Sequence, residues 1–140
     1  GNWPVIAKAL AQKGVITSLA LDDACLRWAF GSLIGNTDMH SGNLARYTDR
    51  AQPLSLAPVY DMTPMVFAPA APGALPEFRL SLGIIDVVNP STWARALSLA
   101  QDYVMRLRTS SLLSRDFAPC VDKLQTHIDQ AAERLKRLAP

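Results

Sequence analysis

Leu26-Arg27-Trp28-Ala29-Phe30-Gly31-Ser32-Leu33-Ile34-Gly35-Asn36-Thr37-Asp38-Met39-His40-Ser41-Gly42-Asn43-Leu44 joins an almost uncharged run to a polar loop, and the architecture follows from that join. Between Ala24 and Ile34 the only charge is Arg27. Leu26, Trp28, Phe30 and Leu33 point in several directions around a helix axis, and a helix that is apolar on nearly every side is a buried one. Thr17-Ser18 offers a start, and the pattern predicts a helix from about Leu19 to Ile34. Asp22 and Asp23 are expected in its first turns, where they favour the dipole. Gly35-Asn36 stops it, and the polar loop Thr37 to Asn43 follows.

Outward from that spine the chain keeps helical spacing. Trp3, Ile6, Ala7 and Leu10 make a short amphipathic helix after Pro4, ended by Gly14. Leu44 to Tyr47 reads as a short strand, Asp49 to Pro53 as a turn, and Leu54 to Ala57 as the hairpin partner. Pro58-Val59-Tyr60-Asp61 closes the unit. Met62 to Pro76 has no usable period and is expected to be a surface loop, mostly a disordered insertion. Leu80 to Val88 is open between a strand and an extended packing segment. Asn89-Pro90 is a helix start, a capping Asn before Pro at the first helical position. Trp93, Leu97, Ala100, Val104 and Leu107 then form one stripe. A last helix from near Pro119 carries Val121, Leu124, Ile128, Ala131, Leu135 and Leu138. The expected fold class is mainly α with one small β-hairpin, and the expected organisation is a single domain over 1–140.

Composition narrows the function classes. Hydrophobic residues make up 49% and charged residues 19%, as in an ordinary globular domain. The longest uncharged run, Met62 to Pro76, is broken by Pro64, Pro69, Pro72 and Pro76 and cannot span a bilayer as a helix. No membrane association is expected. A formal charge of +2 is too small to argue for nucleic-acid binding. Arg134, Lys136 and Arg137 instead complement the dipole at a helix end. Cys25 and Cys120, far apart and each beside apolar neighbours, read as buried thiols of a cytoplasmic protein. His127 lies off the Leu124/Ile128 stripe among polar neighbours and is expected at the solvated surface. Trp28 and Trp93 are expected in the core. Gly1-Asn2-Trp3-Pro4 lacks the features of a signal peptide, and the chain is expected to be a piece of something longer.

The chemistry concentrates in the polar loop. Asp38 is followed five residues later by Asn43. The same interval closes the catalytic loop of protein kinases, where Asp takes the hydroxyl proton and Asn binds magnesium. A loop of that length lets both side chains face one pocket. Asp61, at the end of the expected second strand, would return to the mouth of that loop. Two carboxylates within about 6 Å repel by about 3 kcal/mol at an effective dielectric of about 20, which is costly unless a cation sits between them. Asp and Asn oxygens suit magnesium. The plainer readings are that Asp38 caps the loop, Asn43 makes a turn and Asp61 caps a helical turn.

Gly35-Asn36-Thr37-Asp38-x-His40-x-x-Asn43, followed by Pro58-x-Tyr60-Asp61, resembles the motif pair of HipA-type serine/threonine toxin kinases. Leu56-Ala57-Pro58-Val59-Tyr60-Asp61-Met62-Thr63-Pro64-Met65 is similar to the YjjJ-like branch of that family. The resemblance implies a kinase C-lobe-like domain whose hairpin carries the catalytic and metal-binding loops. It implies Asp38 as catalytic base, Asn43 and Asp61 as ligands of Mg2+, and ATP as phosphate donor. The implied acceptor is a protein serine or threonine, often with a DNA-binding antitoxin of the HipB type as partner. His40 would touch the γ-phosphate or hold the loop closed. Many relatives carry Lys just before the loop Asn, where this chain has Gly42.

A kinase also needs a glycine-rich phosphate cover and a strand Lys. The seven glycines form no G-x-G-x-x-G, and Lys8, Lys13, Lys123 and Lys136 all fall in or near expected helices. The nucleotide-binding N-terminal half is therefore expected outside this chain. Two other functions remain open at this stage. One is a catalytically inactive kinase-like interaction module, and the other a metal-dependent hydrolase using Asp38, His40 and Asp61.

Overall fold

A computed structural model describes residues 2–46, 52–69 and 80–137. Four helices dominate it: α1 (Trp3–Gln12), α2 (Ser18–Ile34), α3 (Pro90–Thr109) and α4 (Ala118–Lys136). Their ends are set by local chemistry. Asn2 accepts from Val5 N at the start of α1, Thr17 from Ala20 N at the start of α2, and Asn89 from Thr92 N at the start of α3. Each supplies an oxygen to a backbone N–H that has no partner within the helix. Pro follows in the first turn of α1, α3 and α4, where its missing N–H costs nothing.

The expected spine is the centre of the molecule. α2 packs against α1, α3 and α4, and it buries Ala20, Ala24, Cys25, Trp28, Ala29, Gly31, Leu33 and Ile34. Leu33 and Ile34 are fully enclosed, each stabilising the fold by about 1.5–3 kcal/mol through burial. Trp28 meets Trp93 of α3 edge to face at 5.9 Å, and Phe30 meets Tyr103 in the same manner at 6.0 Å. Cys25 and Cys120 are buried free thiols, and burial, helped by Asp22, pushes the Cys25 thiol up. α2 begins at Ser18, so Asp22 and Asp23 fall beyond its first turn. Asp23 pairs instead with Arg27 one turn on, and Arg27 donates to the Ala57 carbonyl at 2.6 Å.

The hairpin is where expectation and structure part. Among the described residues there is no run of strand. One antiparallel bridge joins Arg46 to Leu56, and one parallel bridge joins Ile16 to Leu54. The backbone groups of Leu54 are taken by the α1–α2 connection: Leu54 N donates to Val15 O and Thr17 N donates to Leu54 O. Among the described residues, the Ala57 N to Ala45 O bond, 3.0 Å, and the Arg46–Leu56 bridge are what remains of the expected ladder. Tyr47 and most of the expected turn lie outside the described residues. Leu80 to Val88 forms no strand either and packs as an extended segment, with Leu82 and Val88 buried.

Part of Met62 to Pro76 is structured. Met65–Phe67 forms a 3-10 turn, and Phe67 is buried against Phe117 at 6.0 Å. Residues 70–76 lie outside the described part.

His127 corrects a second expectation. It is 7% exposed, not solvated. Its position falls one residue from Ile128 on α4, and the side chain reaches α2, where it is hydrogen-bonded to the Ser32 backbone. Ser32 lies in the last turn of α2, whose carbonyls lack partners within the helix. Nε2 of His127 is buried without a partner.

Two expected outcomes follow from these helix ends. Burial, opposed by the Ser32 bond, lowers the His127 pKa below its usual value of 6.5. The unfolded chain then binds the extra proton first, so the contribution is present above about pH 6.5 and lost as pH falls through the depressed folded value. Urea midpoints should decline over that window, and His127→Gln should flatten the decline. At the other end, Gly35 caps α2 with φ +74°, and a Cβ there would lie 2.6 Å from Leu80 Cδ2 and 2.7 Å from Val66 Cγ1. Gly35→Ala should cost about 2 kcal/mol or more in chemical denaturation, backbone strain plus overpacking.

Candidate functional site

The left-handed turn at Gly35 ends α2 inside the core and sends the chain outward. Val66 N donates to Gly35 O at 2.9 Å, which seats the segment after Asp61 against that turn. From there the loop is knitted residue by residue. Asp38 N donates to Asn36 Oδ1 at 2.9 Å, an Asx turn that fixes where the Asp38 side chain leaves the backbone. Asn43 Nδ2 donates to Asp38 O at 2.7 Å and to Asp38 Oδ2 at 3.2 Å. Flipping the amide would set oxygen against two oxygens, so the orientation is fixed by the pairing. Asn43 Oδ1 is thereby turned away from Asp38 and is available to a ligand.

His40 closes the loop. It is the N-cap of the 3-10 turn Ser41–Asn43, with Nδ1 accepting from Gly42 N at 3.0 Å. An accepting Nδ1 means that the proton of the neutral ring sits on Nε2. Nε2 lies 3.6 Å from Asp38 Oδ1, too far for a hydrogen bond. The Asp38 and His40 side chains are 49% and 62% exposed, so the face they share is open to a bound partner.

Asp61 is not hydrogen-bonded to Asp38 or Asn43; its neighbours Tyr60 and Met62 make the contact with the loop. Tyr60 Oη reaches Gly42 O at 3.4 Å, and Met62 Sδ accepts from Asn36 Nδ2 at 3.3 Å. Met39 and Met62, each adjacent in sequence to a candidate carboxylate, both press on Gly31 of α2: a Cβ there would lie 2.3 Å from one sulfur and 3.2 Å from the other. Asp61 holds φ at +52°, a left-handed conformation that is uncommon for a residue with a side chain. Such strain persists only where the surroundings over-determine the backbone, and it clusters at functional sites.

Two contributors to the loop are invisible in its spacing. Trp3 Nε1 donates to His40 O at 2.7 Å, tying the loop to α1 from 37 residues away. Asn36, 7% exposed, holds both halves of the site. The Asn following a helix-stopping Gly already suggested a turn; that its amide also reaches the second motif depends on tertiary packing.

The donor set fits a divalent cation shared with phosphate. Asn43 Oδ1 and the Asp61 carboxylate are hard oxygen donors, and magnesium completes its shell with waters and phosphate oxygens. Among the described residues no group of three or more His, Cys, Asp or Glu is close enough to hold a metal, so no self-sufficient metal cage is formed there.

The HipA-like C-terminal domain matches residues 3–137. Toxin YjjJ of Escherichia coli (strain K12) is 33% identical over 138 residues, covering 99% of this chain and 31% of that protein. The chain thus spans about a third of the length of the relative it matches. No solved structure matches. Both similarities run through the two motifs and the four helices alike, and the chain belongs to the HipA-like C-terminal domain family.

Proposed function

We propose that the chain is the catalytic lobe of a serine/threonine protein kinase, acting as the toxin of a toxin–antitoxin system within a longer protein. The observation that carries this reading is the double hydrogen bond from Asn43 Nδ2 to Asp38 O and Oδ2. It links the two residues across the kinase interval and takes up neither Asp38 Oδ1 nor Asn43 Oδ1. Family membership and the printed name of the YjjJ relative support the toxin part.

In this reading Asp38 Oδ1 receives the proton of the acceptor hydroxyl as its oxygen bonds to the γ-phosphorus and ADP departs. Asn43 holds the other carboxylate oxygen, so the accepting lone pair keeps a fixed direction. Asn43 Oδ1 and Asp61 would hold magnesium, which when bound neutralises charge on the transferred phosphate. His40 keeps the loop shut through Nδ1 and presents an Nε2 proton toward the same face, where a phosphate oxygen would accept it. The partner would be a protein bearing the serine or threonine, together with a DNA-binding antitoxin of the HipB type.

The grip on the α- and β-phosphates must come from elsewhere. Lys8 lies in α1, Lys13 at its C-cap, and Lys123 and Lys136 in α4. No described lysine stands on a strand. We expect the isolated chain to transfer no phosphate, and the full-length protein to do so with ATP and Mg2+. A radiolabelled-ATP assay on the full-length protein should lose about 10²- to 10⁴-fold on Asp38→Asn. Wild-type transfer by that variant would refute the assignment.

A further inference from the structure

The side chain that makes one site of the two motifs is Asn36. It is a buried amide, 7% exposed, placed between the loop that carries Asp38 and the segment that carries Asp61. Its Oδ1 takes Asp38 N at 2.9 Å, and its Nδ2 points to Met62 Sδ at 3.3 Å. A thioether is a weak acceptor, so this donor gains little from its partner while the amide bears the cost of leaving water. Stopping α2 does not require that cost: Gly35 already supplies the left-handed turn, and Asn36 N closes onto Gly31 O at 2.8 Å through its backbone alone. The side chain is spent on joining the two segments. Met39 and Met62 both lie against Gly31, so the two segments meet on the same turn of α2.

We propose that Asn36 is a positioning residue which sets the separation between the Asp38–Asn43 loop and Asp61, and through it the affinity of the site for a divalent cation. This rests on the kinase reading above, and it adds a residue that acts only through others. Asn36→Ser keeps an oxygen able to accept from Asp38 N, because serine forms the same kind of local turn, but it is too short to reach Met62. Met62→Leu keeps the volume and removes the sulfur, leaving Asn36 itself intact.

The test is direct Mn2+ binding, read by electron paramagnetic resonance on the full-length protein with a non-hydrolysable ATP analogue. Asn36→Ser and Met62→Leu should each weaken Mn2+ binding, the former by roughly 10- to 100-fold, as is usual when the support behind a metal ligand is removed. The double variant should be no weaker than Asn36→Ser, since both changes break one contact. Urea midpoints recorded in parallel separate a loss of positioning from a loss of fold. Asp61→Asn serves as the reference. If Asp61→Asn abolishes Mn2+ binding while a folded Asn36→Ser and Met62→Leu leave it unchanged, Asn36 is a helix stop and the proposal fails. If Asp61→Asn also leaves binding unchanged, the kinase reading fails with it.

Discussion

The end of α2 is the constraint from which the rest follows. A helix enclosed by three others must still give its last carbonyls partners and bring the chain out of an apolar interior. Gly35 does this with one left-handed residue, closing its N–H onto Gly31 O. His127 reaches across from α4 to the Ser32 backbone, and Val66 N takes the Gly35 carbonyl. Those partners come from sequence positions that are far apart. The loop leaving α2 is therefore anchored on a rigid element at its root, although its tip is half exposed.

That anchoring explains how a small exposed loop can hold its polar side chains in order. Catalytic groups need fixed directions, and exposed side chains ordinarily have none. Here each member of the loop is tied by a bond that does not involve substrate: Asp38 through Asn36 and Asn43, His40 through Gly42, and the His40 carbonyl through Trp3. Those bonds leave one carboxylate oxygen of Asp38, the amide oxygen of Asn43 and the Nε2 side of His40 outside the loop's own hydrogen bonding. The face shared by Asp38 and His40 has no roof among the described residues.

Much of this was legible in the sequence, and the boundary has a physical cause. Helix starts at Thr17 and Asn89 were readable because a cap is a local hydrogen bond between residues three apart. α2 was readable as buried because its apolar residues point every way. The five-residue interval suggested that Asp38 and Asn43 face one pocket; that Asn43 also donates to Asp38 was not read from it. The hairpin was not readable, since the alternation around Leu54 fits a strand equally well whichever neighbour pairs with it, and the neighbour turned out to be the α1–α2 connection. His127 was misjudged because it falls just off the apolar stripe of α4 while its partner lies on another helix. Asn36 looked like a stop signal, and its second bond depends on where Met62 arrives.

The central claim is that Asn43 and Asp61 hold a single divalent cation beside the base Asp38. It is tested most directly by a crystal structure of the full-length protein with Mg2+ and a non-hydrolysable ATP analogue. We expect Asn43 Oδ1 and an Asp61 oxygen about 2.1 Å from the metal, with Asp38 Oδ1 open toward the γ-phosphate. A metal held by phosphate and water alone, with Asp61 turned away from Asn43, would contradict it.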